Sequence, residues 1–220
     1  MIVVNHCKKL KDRKTHILDE LRQFSDDFIV NDCLDADDIR DTIDLYYRQN
    51  KKIAVTKSLA TSFNTPAWVL EPLKVTQVSL IEKNIRALTA FSRSKDEFCA
   101  ILEDDVTFKT KTPFGEIAKN APANWDLIFF GGFSYDIEHA PIVKKTGKYS
   151  LVGNPATNGA CAVIYGQTAA LRIISSLTAG YDLPYDWELN YIIKKYNLTV
   201  YHYDYTCKQL SKTTMETSLV

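Results

Sequence analysis

Residues Phe98-Cys99-Ala100-Ile101-Leu102-Glu103-Asp104-Asp105-Val106 form a short apolar run, of strand length, that ends in three consecutive carboxylates. Folding presses such charges together where the dielectric is reduced, which is unfavourable unless a cation joins them. Hard divalent cations such as Mg²⁺ and Mn²⁺ prefer carboxylate oxygens. In open α/β sheets the ligand crevice lies beyond the carboxyl ends of the strands. The stretch therefore predicts a metal site at a sheet edge, one that takes a phosphate-bearing substrate. The bland alternative is an acidic surface loop or helix cap; the apolar strand immediately before the acids favours the metal.

The rest of the chain sets the frame around that strand. At 220 residues with 45% hydrophobic content, it can bury one sizeable core. Lys and Arg total 27 against 27 Asp and Glu, which gives no support to wholesale nucleic-acid or anionic-membrane binding. No apolar stretch approaches the roughly 20 residues that span a bilayer. The start, residues 1–5, lacks the basic lead and long apolar core of a signal peptide. The expectation is a soluble, cytoplasmic protein. Cys7, Cys33, Cys99, Cys161 and Cys207 are odd in number and widely spaced, with no Cys-x-x-Cys pair, so a zinc ribbon or thioredoxin-like site is not expected and a reducing compartment fits.

Strand-like and helix-like segments alternate. Residues 2–4, 28–30, 53–55, 125–132, 159–165 and 198–201 read as strands, with 149–155 as loop or edge strand. Residues 13–23, 35–48, 167–177 and 187–196 read as helices. Val78, Ile81, Ile85 and Leu88 make an amphipathic stripe, with Glu82, Lys83 and Arg86 on the opposite face. Asn64-Thr65-Pro66 marks a loop, and Gly131-Gly132 a turn through which backbone approaches a substrate closely. The alternation predicts an α/β fold: a single domain over residues 1–210 with a mainly parallel central sheet flanked by helices, then a polar tail at 211–220.

The chain resembles glycosyltransferase family 25. The opening Val3-Val4-Asn5-His6-Cys7-Lys8-Lys9-Leu10-Lys11-Asp12-Arg13 looks like that family's start, a strand, an Asn and a basic segment ending in Asp-Arg. Gln77-Val78-Ser79-Leu80 through the acidic motif resembles its central block, and Thr157-Asn158-Gly159-Ala160-Cys161-Ala162-Val163-Ile164-Tyr165 its later strand. Two departures stand out: Leu80 follows Ser79 where the family usually has His, and the block from Tyr201 to Gln209 lacks an expected proline. The resemblance implies a GT-A (Rossmann-like) fold, a nucleotide-sugar donor bound with Mn²⁺ or Mg²⁺, and inverting transfer of a hexose, UDP-linked, to a hydroxyl of a glycan acceptor.

Such chemistry needs the departing diphosphate neutralised and the acceptor hydroxyl deprotonated. Asp105 is the expected direct metal ligand, with Glu103 beside it and Asp104 on the other side of the strand; Glu103 or Asp104 alternatively touches ribose or sugar hydroxyls. His202, late in the chain, is a further candidate ligand, against the ordinary structural histidine. Asn5 and His6 are candidates for base or ribose, and Arg13 for the diphosphate. Asp35 is placed for a ribose, or else as a helix N-cap, and Ser79 for the donor, or else as a packed hydroxyl. Asp186 is the candidate general base, desolvated by Tyr185 and Trp187, with Asp182 and Glu188 as competitors; the plain alternative is that Asp186 caps a helix starting at Trp187 and the tryptophan is core. Two other classes place acids at strand ends: a phosphoryl-accepting receiver module and a Mg²⁺-dependent phosphohydrolase. Both would carry their acids nearer the first strand.

Overall fold

The computed structural model describes residues 1–24, 27–46, 67–131 and 140–209. The strand expected at 53–55, the loop at 64–66, Gly132 and the tail at 211–220 lie outside the described residues.

The chain opens with β1 (Ile2–Asn5), α1 (Lys11–Leu21) and β2 (Ile29–Asn31). The helix expected over 35–48 is broken into α2 (Ala36–Ile39), a 3₁₀ turn (Arg40–Thr42) and α3 (Ile43–Tyr46). After a 3₁₀ turn at Ala67–Leu70 come α4 (Val75–Ser92), β3 (Phe98–Glu103), β4 (Val106–Phe108), α5 (Phe114–Lys119) and β5 (Leu127–Gly131). The hairpin of β6 (Ile142–Thr146) and β7 (Tyr149–Val152) leads to β8 (Ala162–Gly166), α6 (Gln167–Thr178), α7 (Tyr185–Tyr196) and β9 (Val200–Gln209).

The strands form one sheet in the order β2-β1-β3-β8-β5-β9-β7-β6, with β4 pairing onto β9. It is mixed, which corrects the expectation of a mainly parallel sheet. Only β1–β2, β1–β3 and β5–β9 run parallel; β3–β8, β5–β8, β7–β9, β6–β7 and β4–β9 are antiparallel. The reason is the connection. A parallel neighbour needs a long crossover, usually a helix, whereas β8 follows the β6–β7 hairpin with no helix between and enters the sheet reversed.

Period-two alternation sorts the strand residues to two faces. Val3, Ile101, Val163, Phe129 and Val200 pack with Val78, Ile81, Leu88 and Phe91 of α4, Ile173 and Leu177 of α6, and Leu189, Ile192 and Ile193 of α7. Val4, Ala100, Leu102, Ile128 and Ile164 pack on the other face with Ile17 and Leu21 of α1 and Phe114 and Ile117 of α5. Each fully buried Ile, Leu or Phe among them contributes roughly 1.5–3 kcal/mol from apolar burial. On α4 the outward placing of Lys83 is overturned: Lys83 is buried, while Arg86 is exposed. A Cβ at Gly131 would collide with Cys207 Sγ and Ala162 Cβ, so strand packing by itself requires glycine there. The α7 helix carries Asp186 and Glu188 in its first turn and Lys194 and Lys195 in its last, matching its dipole, and ends on Asn197 in the left-handed region (φ 50°). All five cysteines are free thiols. No helix among the described residues is long and apolar enough to cross a membrane.

Candidate active site at the carboxyl end of the central strand

β3 is buried through Leu102 and stops at Glu103; Asp104 and Asp105 then make a turn into β4. Antiparallel pairing of β4 with the end of β9 sets Val106 opposite Gln209. The turn is thereby held between the start of the chain and its last described strand.

Asp104 faces the chain start and is fully engaged. Its Oδ2 accepts from His6 Nδ1 at 2.7 Å and from the Cys7 backbone N–H at 3.2 Å; its Oδ1 accepts from Arg13 Nη1 at 3.0 Å. Burial disfavours its ionised form, but the hydrogen bonds from His6, Cys7 and Arg13 and the guanidinium charge outweigh it. Asp104 is therefore held below the usual carboxylate range. The same Arg13 Nη1 reaches Asp105 Oδ2 at 3.1 Å, so one nitrogen bridges both acids of the turn.

On the other flank Arg13 touches Asp105, while the contact Glu103 makes among the described residues is with the Gln209 amide. Gln209 Nε2 lies 3.0 Å from Glu103 Oε2 and 3.3 and 3.1 Å from the two oxygens of Asp105. An amide has no charge to set against theirs. Burial, followed by the charges of Asp105, Asp104 and Asp186, pushes Glu103 up to about 8. Burial likewise raises Asp105, against the opposing pull of Arg13. Asp186, in the first turn of α7, is raised to about 6 by burial, offset by the backbone N–H groups at the helix start. Glu103 continues the alternation of Ile101 and so faces the side of the sheet that α7 covers, which brings Asp186 within electrostatic reach of it.

The remaining sequence-predicted residues divide. Asn5 lies in register with Glu103; its Oδ1 accepts from Asn31 Nδ2 at 2.8 Å, and its buried Nδ2 has no partner among the described residues. His6 is buried and spent on Asp104. Asp35 is the N-cap residue of α2, with Asp38 accepting from its N–H at 3.2 Å. Its own oxygens go to the Lys83 amine and the Lys8 N–H. Ser79 donates to the Leu34 carbonyl at 2.6 Å, tying α4 to the loop before Asp35. His202 is not at the edge. It stands in register with Phe129, in the row of Ile101, and its Nε2–H donates to the Ala156 carbonyl at 2.6 Å, which spends that nitrogen. Glu188 accepts the Asp182 and Leu183 N–H groups at 2.7 and 3.0 Å, a loop-capping role. Trp187 packs with Val69 and Leu183 as core. Lys8 and Lys9 pair on the surface with Asp38 and Asp37.

Gln209, Lys83 and Asn190 escaped the sequence reading. Asn190 is fully buried and pins the loop before β8 by accepting from the Ala156 and Thr157 N–H groups and donating to the Thr157 carbonyl. The signal for Gln209 was present in Tyr201, Tyr203, Tyr205 and Cys207, whose period-two spacing extends the last strand well beyond residue 201.

Among the described residues, no three His, Cys, Asp or Glu side chains stand close enough to cage a metal by themselves. Glu103 and Asp105, drawn to one Gln209 nitrogen, are a two-carboxylate set with raised proton affinity. That set fits Mg²⁺ or Mn²⁺, since such ions commonly take one or two carboxylates and complete their shell with substrate phosphates and water.

No family model matches the chain, and no curated protein matches it. The likeness to glycosyltransferase family 25 thus stays a resemblance. Solved structures similar in shape include the inositol-1-phosphate CTP transferase from T. maritima, with TM-score 0.44, 10% identity, and 95% of this chain and 88% of that chain covered. The WbbM bifunctional glycosyltransferase in its apo structure gives TM-score 0.47 and 9% identity, over 88% of this chain and 36% of that one. Mouse xyloside xylosyltransferase 1, apo form, gives 0.42 and 10%, over 91% and 83%.

Proposed function

We propose that this chain is a metal-dependent, inverting glycosyltransferase of the GT-A kind, moving a hexose from a nucleoside diphosphate sugar, UDP-linked, to a hydroxyl of a glycan acceptor. The observation that carries the reading is the second flank of the turn: Glu103, Asp105 and Asp186 gather at the carboxyl end of a buried strand, with Arg13 reaching only Asp105 of the three among the described residues, and each holds its proton more tightly than a free carboxyl does. A divalent ion with its diphosphate is the ligand chemistry that relieves such a cluster.

In this reading Glu103 and Asp105 hold the Mn²⁺ or Mg²⁺, which when bound supplies Lewis-acid stabilisation of the departing diphosphate. Asp104 is the turn's anchor, fixed by His6, Cys7 and Arg13, and His6 works through it instead of touching the donor. Asn5 Nδ2, buried beside Glu103 with no partner among the described residues, is the donor-contacting atom of β1. Asp186 is the general base. Raised to about 6, it is ionised at neutral pH yet more basic than an ordinary aspartate, which suits proton abstraction from an acceptor hydroxyl. His202 has no part in the metal shell.

The test is thermal shift with UDP, GDP and CDP, each with and without Mn²⁺. Stabilisation that requires nucleotide and metal together, and that Asp105→Ala removes, is the expected result. Stabilisation by a beryllofluoride phosphate mimic with none by any nucleotide would replace this reading with a phosphoryl-accepting one.

A further inference from the structure

Lys83 sits mid-helix in α4 and is almost wholly buried, at 4% exposure. Its amine donates to the His6 carbonyl at 2.5 Å and to Asp35 Oδ1. The other oxygen of Asp35 accepts the Lys8 N–H at 2.8 Å. The Lys83 carbonyl accepts from Asn31 Nδ2 at 2.9 Å, the same nitrogen that reaches Asn5 Oδ1. Residues 6–8 are thus gripped through their backbone by the Lys83–Asp35 pair. From the same three residues the His6 ring and the Cys7 N–H reach out to hold Asp104.

We propose that Lys83, through its ion pair with Asp35, is a positioning residue for the acid turn: it fixes the strap of residues 6–8, and the strap fixes the Asp104 carboxylate. Its use in donor binding rests on the function proposed above. A buried ion pair is a poor choice for stability alone, since packed apolar side chains of similar volume commonly do as well or better. The geometry here supplies something apolar packing cannot. Lys83 reads a backbone carbonyl and Asp35 a backbone N–H two residues on, which sets the register of the strap against α4. Asp104 is then oriented from outside its own turn. The carboxylates left for a cation, Glu103 and Asp105, keep a fixed spacing because Arg13 ties Asp105 to the anchored Asp104.

The experiment uses the full chain with labelled histidines and no ligand. An ionised carboxylate only accepts, so His6 Nδ1 carries the proton it shares with Asp104. His16 Nε2 donates to the Val106 carbonyl and His202 Nε2 to the Ala156 carbonyl, and these protons are internal references. In Lys83→Met, the His6 Nδ1 proton should exchange with water about tenfold faster or more, with the His16 and His202 protons unchanged. The paired variant Lys83→Met/Asp35→Leu removes both charges, keeps the fold where the single change fails to, and should give the same result. A His6 proton as protected as in the wild type, or all three protons loosening together, overturns the proposal. UDP–Mn²⁺ affinity in the paired variant should fall about tenfold, while an unchanged affinity beside a loosened His6 overturns the link to donor binding. A wild type that binds no nucleotide at all would sink the proposed function, yet the His6 proton would still decide the role of Lys83.

Discussion

Asp104 and Glu103 are neighbours in sequence, yet they end on opposite flanks of one turn and in opposite electrostatic states. Asp104 has a histidine, a backbone N–H and a guanidinium, and its carboxyl is held below the ordinary range. Glu103 has an amide nitrogen and three nearby carboxylates, and is pushed up to about 8. The protein satisfies one acid completely and leaves the next in deficit. The contrast separates a flank that holds the turn from one whose acids keep a raised proton affinity, the flank to which the proposed function assigns the cation.

The comparison is sharpened first by removing the anchor. Arg13 and Asp104 are both largely buried, at 12% and 7% side-chain exposure, so Arg13→Ala leaves a buried carboxylate without its cation. It should cost roughly 3 kcal/mol or more in urea unfolding. A loss under about 1 kcal/mol would class the bridge with ordinary surface pairs and dissolve the contrast. Asp186→Asn should do the reverse. Stability and donor affinity should hold, while transfer, measured in single turnovers, slows about 10²-fold for a lost general base. Unaltered turnover would shift that role to Asp182, since Glu188 is committed to capping its loop.

A pH profile compares the flanks directly. Unfolded Glu103 and Asp186 release protons near their ordinary 4.5 and 3.8, whereas folded they hold them to about 8 and about 6. Across that window the unfolded chain binds fewer protons, so stability falls as pH rises from about 4 to about 8. Asp104 has the opposite sign: it contributes stability above 3.8 that is lost as pH drops through its depressed value. Cation-free protein should therefore melt highest near about pH 4 and lower toward about pH 8, and Mn²⁺ with UDP should flatten the decline. A cation-free curve already flat over that range would mean that the second flank is not in deficit. The smallest effect is expected from Gln209→Ala, at or below about 1 kcal/mol, because a single neutral amide does little for two acids. A loss several times larger would show Gln209 to be the real neutraliser of its flank.

Much of this arrangement was legible in the amino-acid order. The apolar run into Glu103 and the stripe of α4 are local patterns, and each forms where periodicity places it; α6 forms as well, but it buries Ala170, Ile173 and Leu177 and leaves Leu171 exposed. Asp186 at the start of a helix was legible for the same reason. Strand direction was not, because a strand's pattern is identical whichever way it enters a sheet. The helix stripe also misled at Lys83. A lysine reads as outward until a carboxylate and a carbonyl, 48 and 77 residues away in the chain, are brought to its amine. For His202 too the partner is remote: its Nε2 is taken by a carbonyl 46 residues away.

By itself, then, the order of residues placed β1, β3, β5, β8, α4, α6 and α7 and showed that three acids must crowd one strand end, since both follow from near neighbours and from charge. Only the tertiary structure decided which of those acids is neutralised, because the neutralising groups (His6, Arg13 and, behind them, Lys83) come from remote parts of the chain. Their effect on a carboxylate falls off with distances that no spacing along the sequence encodes.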